Sequence, residues 1–263
     1  MEIMLKFLLA MLLTACGSHP EPRSCTSAPG DIEINQDPSG FVETHKCDSL
    51  IWSGLMSAAG YDVDMVAAEV GPGEWLRRPS NYKECYASNE SFSTISRDQL
   101  LGVYWHAWIH KDRAMLERLW DYGSANAWRM GSGRLFGADT LMNPKMISTL
   151  AQMIHRLGGD NHKARLVPAL WSVVHDQSKY YVNRLSALHI ELRRRAYGHT
   201  SKNGQNALLE MHRTWPKNPL FAWAYGHTCE SKDLANLETI PTGIHNDDEY
   251  IYEQAFVLGV PNE

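Results

Sequence analysis

The chain has 263 residues, of which 44% are hydrophobic and 21% charged, and its formal net charge is −5. This length and balance suit a globular protein with a substantial core, and they exclude a disordered chain. A mildly acidic sequence without a long basic run argues against nucleic acid as the main partner.

Lys6 is followed by an apolar run from Phe7 to Leu13. The run is too short to span a bilayer, which takes about 20 residues, but it has the size of a signal-peptide core. It ends Leu13-Thr14-Ala15-Cys16-Gly17, which resembles the lipobox of bacterial lipoproteins. The resemblance implies that residues 1–15 are removed and that Cys16 carries lipid, palmitate included. It also implies that the protein is held to a membrane in the cell envelope. Gly17 after the cysteine implies sorting to an outer membrane. Glu2 departs from the pattern, because it weakens the positive amino-terminal region.

Residues 16–40 are rich in Ser, Pro, Gly and Asp and read as a flexible tether. Residues 41–263 read as a single all-α domain. Four cysteines remain after Cys16: Cys25, Cys47, Cys85 and Cys229. An even number in an oxidising compartment suggests disulfides. Three pairings are open, and the expected one joins Cys47 to Cys85, which flank a loop-rich segment.

From about residue 47 onward the pattern is helical. Met65 to Tyr86 carries the few strand signals and reads as a short hairpin or long loop. Ser96 and Gln99 have capping-box spacing and open a helix carrying Leu100, Leu101, Tyr104, Trp105 and Trp108. Asp112 can cap the next helix, with Met115, Leu116, Leu119 and Trp120 behind it. The short link between the two predicts an antiparallel hairpin. Asn143 with Pro144 reads as a cap and first helical residue, Ile147 to Leu157 repeats at helical spacing, and Gly158-Gly159 stops the run. Pro168 can begin another helix. A further one runs through Leu185 and Leu192 to Arg193-Arg194-Arg195, read as a solvated helix end, with Gly198 closing it. Two shorter helices are expected over residues 207–214 and 219–225.

Successive aromatic-rich helical hairpins in an exported chain resemble the α/α-toroid proteins that act on polysaccharides. The chain is short for a complete six-pair ring, so the resemblance implies a partial toroid. The activity it implies is glycoside hydrolysis or polysaccharide lyase elimination.

Candidate chemistry concentrates in two polar segments. The first is Gly73-Glu74-Trp75-Leu76-Arg77-Arg78-Pro79, and the second is Ser96-Arg97-Asp98. Asp98 stands in a first helical turn, where the dipole favours negative charge and suits a general base. Glu74 is the partner carboxyl that a hydrolase would need, with Glu69 nearby. Arg77, Arg78 and Arg97 can bind a carboxylate in two-pronged fashion, and Trp75 and Trp105 can stack on sugar rings. His106 could abstract a proton in a lyase. His106 and His110 share a helix face at metal-ligand spacing, but the glutamate of His-Glu-x-x-His is absent, so no metal is expected. No cofactor is expected either: there is no phosphate-binding glycine loop, no dinucleotide fingerprint, no Gly-x-Ser-x-Gly and no Cys-x-x-Cys. The alternative to an enzyme is a non-catalytic helical lipoprotein that binds an envelope protein or polysaccharide.

The lipobox carries the first prediction. Cys16→Ala should release the protein from membranes or leave it unprocessed. An unlipidated mature amino terminus in the parent protein, read by mass spectrometry, would overturn it.

Overall fold

The computed structural model describes residues 32–38, 40–44, 48–79, 94–131, 140–160, 180–216, 218–226 and 247–261. Cys16, Cys47 and Cys85, and the helix expected from Pro168, lie outside them. The described residues contain eight α-helices. They are α1 (Ser49–Ala58), α2 (Arg97–Ile109), α3 (Arg113–Ala125), α4 (Pro144–Arg156), α5 (Tyr180–Tyr197), α6 (Lys202–Thr214), α7 (Pro219–Tyr225) and α8 (Asp247–Gly259). Two short antiparallel hairpins accompany them: β1 (Glu69–Gly71) with β2 (Glu74–Trp75), and β3 (Arg129–Gly131) with β4 (Thr140–Leu141). The domain is therefore predominantly helical, as its sequence pattern implies. Among the described residues no helix is long and apolar enough to cross a membrane.

Several helix ends follow directly from sequence. Asp112 accepts from the Met115 amide, Asn143 from Met146 and Asn218 from Phe221, each at 2.9 Å. These bonds satisfy first-turn donors that have no partner within the helix. Gly158, Gly198 and Gly226 follow α4, α5 and α7 with positive φ, the left-handed stop that glycine adopts without strain. The Ser96 capping box does not form. Ser96 starts α2 without a side-chain cap bond, and Gln99 is fully buried and spent elsewhere.

α1 is the centre of the fold. All ten of its residues are buried, so it has neighbours on every side. It crosses α2 at a pair of glycines. A Cβ on Gly54 would lie 2.2 Å from the Gly102 carbonyl oxygen, and one on Gly102 would lie 2.5 Å from that of Leu50. The two backbones therefore touch.

Contacts along the helices give their directions. From α1 to α2, Ile51 meets Gln99, Gly54 meets Gly102 and Ser57 meets His106. The numbers rise together, so the helices are parallel. From α1 to α8, Trp52 meets Tyr252 and Ala59 meets Gly259, which is again parallel. From α5 to α8, Arg184 meets Glu253 and Arg195 reaches Pro261. From α4 to α5, Thr149 meets His189 and Arg156 meets Ala196. α3 opposes both of its neighbours. It follows α2 after a three-residue link, and against α4 its pairing runs backwards, with Arg113 bonded to Gly158 and Trp128 to Met142. Hence α1, α2, α4, α5 and α8 share one direction, and their N-termini share one end of the domain.

The chain before α1 is already packed where a tether was expected. Ile32 and Ile34 lie against the core, Tyr61 donates to the Ile32 carbonyl at 2.9 Å, and the Val42 amide donates to Ser53 Oγ at 2.9 Å. The described chain is thus part of the folded domain from Ile32 onward.

The glycine crossing generates the second prediction. Gly102→Ala drives a methyl into the α1 backbone, which cannot repack as a flexible side chain would. It should cost at least the roughly 1–3 kcal/mol of an overpacked core, read as a lowered denaturation midpoint. A midpoint equal to the parent's would show that the helices cross farther apart.

Candidate functional site

At the N-terminal end of the parallel helices, a buried polar junction joins the chain before α1, the β1–β2 hairpin and α2. Asp48, preceding α1, accepts from Arg77 Nη1 and from Gln99 Nε2, both at 2.9 Å. The same Gln99 accepts from the Ile51 amide with its carbonyl oxygen at 3.2 Å. Arg77 is buried, so its charge is committed to Asp48 and the junction. Arg78 sits 3.9 Å from Asp37.

The hairpin that carries Glu74 is clipped to α3. Glu69 takes two bonds from Arg118, at 2.8 and 2.7 Å, and accepts from the Gly73 amide at 2.7 Å. Gly73, at φ +76°, rests against the Arg118 carbonyl. Glu74 itself is exposed, and its charge helps to raise the pKa of Tyr122, after the larger effect of burial. Tyr122 is near the C-terminal end of α3, which runs against α2. Glu74 therefore lies toward the same end of the helices as Asp98. Arg97 is exposed and Asp98 half-buried at the start of α2. The segment before them is fixed by the Arg77 amide on the Thr94 carbonyl and by Thr140 Oγ1 on that of Ile95.

The other expected members are elsewhere. Trp75 and Trp105 are 1% and 0% exposed and offer no ring face to a ligand. Trp105 instead packs edge-on against Phe256, with centroids 5.1 Å apart. Arg195 lies over its ring at 5.2 Å. The tryptophan-lined cleft is thus replaced by a tryptophan-filled core, because rings spaced at helical period bury more apolar area inward than in a groove. His106 is two turns from Asp98 along α2. At about 1.5 Å per residue that is about 12 Å, at the opposite end of the parallel helices.

His106 belongs to a second polar group, which sequence did not reveal because its third member is a serine on α1. Ser57 Oγ is 2.7 Å from His106 Nδ1 and 3.1 Å from His110 Nε2, and His110 Nε2 is also 3.1 Å from the Ser57 carbonyl oxygen. Burial and the neighbouring His110 lower the His106 pKa to about 4, against a smaller upward pull from Asp112. The ring is neutral at ordinary pH.

A third polar group lies between α4 and α5. Thr149 Oγ1 contacts His189 Nε2 at 2.9 Å and donates to the Lys145 carbonyl at 2.8 Å. Burial, then Arg193 and Lys145, lower the His189 pKa to about 3. Arg193 stacks on Tyr197 at 4.6 Å, and the Tyr197 hydroxyl pairs with Ser148. The helix end expected to be solvated is therefore largely packed. Arg195 is buried beside Glu191 at 3.0 Å, and Arg194 binds the same carboxylate at 2.6 Å.

The deepest charges are Arg184 and Glu253, 2.6 Å apart and 2% and 1% exposed. Asn218 reaches the same carboxylate at 3.3 Å, and Arg184 lies over Trp52 at 5.0 Å. No spacing rule could have paired them, since 69 positions of chain separate their numbers. Among the described residues no three His, Cys, Asp or Glu side chains converge as a metal centre would need.

Compared with protein-family models, with curated proteins and with solved structures, the chain finds no match.

The third prediction rests on His189. Its folded pKa is depressed from 6.5, so the unfolded chain takes up the proton first as pH falls. The stability contributed by the neutral ring is complete above about pH 6.5 and is lost progressively toward pH 3. His189→Gln should flatten the fall in melting temperature between pH 7 and pH 4.5. An unchanged slope would remove His189 as its source.

Proposed function

We propose that the protein is a lipid-anchored envelope lipoprotein whose helical domain is a partial α/α toroid that processes a glycan. The observation that carries this reading is the shared direction of α1, α2, α4, α5 and α8. In a ring of successive helical hairpins each helix opposes the next, so every second helix is parallel. Those alternate helices form the inner layer, with the intervening ones outside. Contacts of α1 with α2 and α8, of α8 with α5 and of α5 with α4 follow such an inner layer. α3, opposed to α2 and α4, has the direction of an outer helix.

The mouth of this ring is the end where the N-termini gather. The aligned dipoles favour anionic groups there. Among the described residues, the exposed polar side chains toward that end include Glu74 and Arg97, and the half-buried Asp98 follows Arg97 in the chain. Hydrolysis fits this set better than elimination: two carboxyls stand toward one end, whereas His106 stands at the other. In the hydrolase, Asp98 is the base that activates water, Glu74 is the acid that protonates the leaving oxygen, and Arg97 binds the glycan. Tyr122, beside Glu74, takes the place at the mouth that sequence gave to Trp75.

A binding module without catalysis is the second reading. It is favoured by the exposed apolar side chains Val66, Val70 and Leu141, each more than half exposed, on or just before the two hairpins. The two readings separate in one experiment. The purified protein is screened against envelope and extracellular polysaccharides, with reducing ends and unsaturated-uronate absorbance both recorded. The hydrolase gives reducing ends without the uronate signal. Asp98→Asn should then lower turnover by a factor on the order of 10² or more while melting as the parent does, since a first-turn acid contributes only about 0.3–1 kcal/mol. Turnover that survives this substitution would clear Asp98 of the role. Saturable binding of a glycan or envelope protein, with no product on any substrate, would establish the binding module instead.

A further inference from the structure

Trp128 follows the C-terminal end of α3, at the pole where the N-termini of the parallel helices gather. It is half-buried, whereas Trp75 and Trp105 are inside the core. Its φ is +63° and that of Ala127 is +51°. Two successive side-chain-bearing residues in the left-handed region are uncommon, and a bulky one there is an outlier. Such strain persists only where the surroundings over-determine the conformation, and it concentrates at ligand clamps. Here the surroundings fix the indole closely. A Cβ on Gly123 would lie 2.6 Å from Cε3 of the ring, so the indole rests on the bare backbone of the last turn of α3. The Trp120 ring stands nearly perpendicular to it, with centroids 5.0 Å apart and planes at 79°. The Trp128 amide donates to the Gly123 carbonyl at 2.6 Å, and its own carbonyl accepts from the Met142 amide at 3.0 Å. We propose that Trp128 is an aromatic platform on which a pyranose ring of a glycan stacks, in a subsite flanking Glu74 and Asp98. The proposal rests on the reading of this pole as a glycan-binding mouth.

Direct packing joins the platform to the two carboxyl segments. β3 begins at Arg129, the next residue, and lies against β2, which carries Glu74. At the other end of β3, a Cβ on Gly131 would lie 2.6 Å from Ile95 Cγ2 and 2.7 Å from Thr94 Oγ1. Those residues lead directly into Arg97 and Asp98. Trp128 is three residues from Gly131, at most about 10 Å of chain, so one glycan of several sugar units can touch both. The chemistry of the ring suits a sugar rather than an ion. A pyranose has a face of C–H bonds, and an indole face is the negative part of the aromatic quadrupole. Packing the two together removes apolar area from water on both. A ring already held by Gly123 and Trp120 has little rotamer freedom left to lose on binding, and such preorganisation adds affinity.

The test is titration of the purified full-length protein with four-sugar fragments of peptidoglycan, cellulose, pectin and alginate, read by calorimetry and by tryptophan fluorescence. At least one fragment should bind and change the tryptophan emission. Trp128→Phe keeps a ring face, so it should still bind that fragment while the emission change disappears. Trp128→Leu keeps apolar packing on Gly123 but removes the face. It should weaken binding about tenfold, the upper range of an aromatic pair, with circular dichroism like that of the parent. If the emission change persists in Trp128→Phe, another tryptophan meets the sugar and the platform is wrong. The same conclusion follows if Trp128→Leu binds as tightly as the parent does. Either result overturns the platform and leaves the glycan reading in place. A parent that binds none of the fragments overturns both. Binding without cleavage, weakened in Trp128→Leu, keeps the platform and rejects only the enzyme.

Discussion

The contact between the backbones of α1 and α2 at Gly54 and Gly102 sets the position of almost everything else. Two helices usually keep their backbones apart by the width of their side chains. Here a hydrogen on each side lets peptide groups meet, and the approach leaves no room for even a methyl. Because the helices are parallel, this one contact also fixes their relative height. Above it, Asp48 finds Gln99 and Arg77; below it, Ser57 finds His106 and His110. Sliding one helix by a turn, about 5.4 Å, would break both groups together. The polar clusters at the two ends therefore depend on an apolar contact in the middle.

The buried charges complement this. Arg184 with Glu253, and Arg195 with Glu191, lie within the helical layer. Taking such pairs out of water costs about as much as their attraction returns, so their effect is on the choice of neighbours rather than on total stability. Both arginines also lie over indole rings: Arg184 over Trp52, Arg195 over Trp105 and Trp223. A planar guanidinium can stack on an aromatic face while its edge binds a carboxylate. Part of the tryptophan in this chain is thus connected to its buried arginines, and a lysine at 184 or 195 could not stack flat on the ring and bind the carboxylate edge-on at the same time.

The elements legible in the sequence were those with an amphipathic period and a cap. α3, α4 and α7 begin at their aspartate or asparagine caps, because such a cap is a local interaction between residues three apart. α1 and α8 carry no such label. α1 is buried on every face, and a helix without a polar side has no period to read. The hairpin at residues 69–75 was expected only loosely, since its strands are three and two residues long. The candidate site was partly legible. Glu74, Arg97 and Asp98 do lie toward one end, because loops and helix starts gather where parallel helices begin. Trp75, Trp105 and Arg77 did not fit, because the type of a residue does not say which way it points. Ser57 and the Arg184–Glu253 pair were invisible, as their partners are set by tertiary contacts between distant parts of the chain.

The chain that leads into α1 runs alongside it in the opposite sense, from Ile32 beside Tyr61 to Asp48 at the far end. Its entry to the folded domain is therefore at the C-terminal pole of the parallel helices, the pole of Ser57 and His110. If Cys16 holds lipid, the membrane pulls on that pole, and the pole of Asp98 and Glu74 hangs outward like the open end of a bucket on its rope. The fifteen residues from 17 to 31 set the length of the rope at no more than about 50 Å. A domain anchored in this way would sweep a shell of fixed depth above its bilayer, with the pole of Asp98 and Glu74 turned away from the membrane.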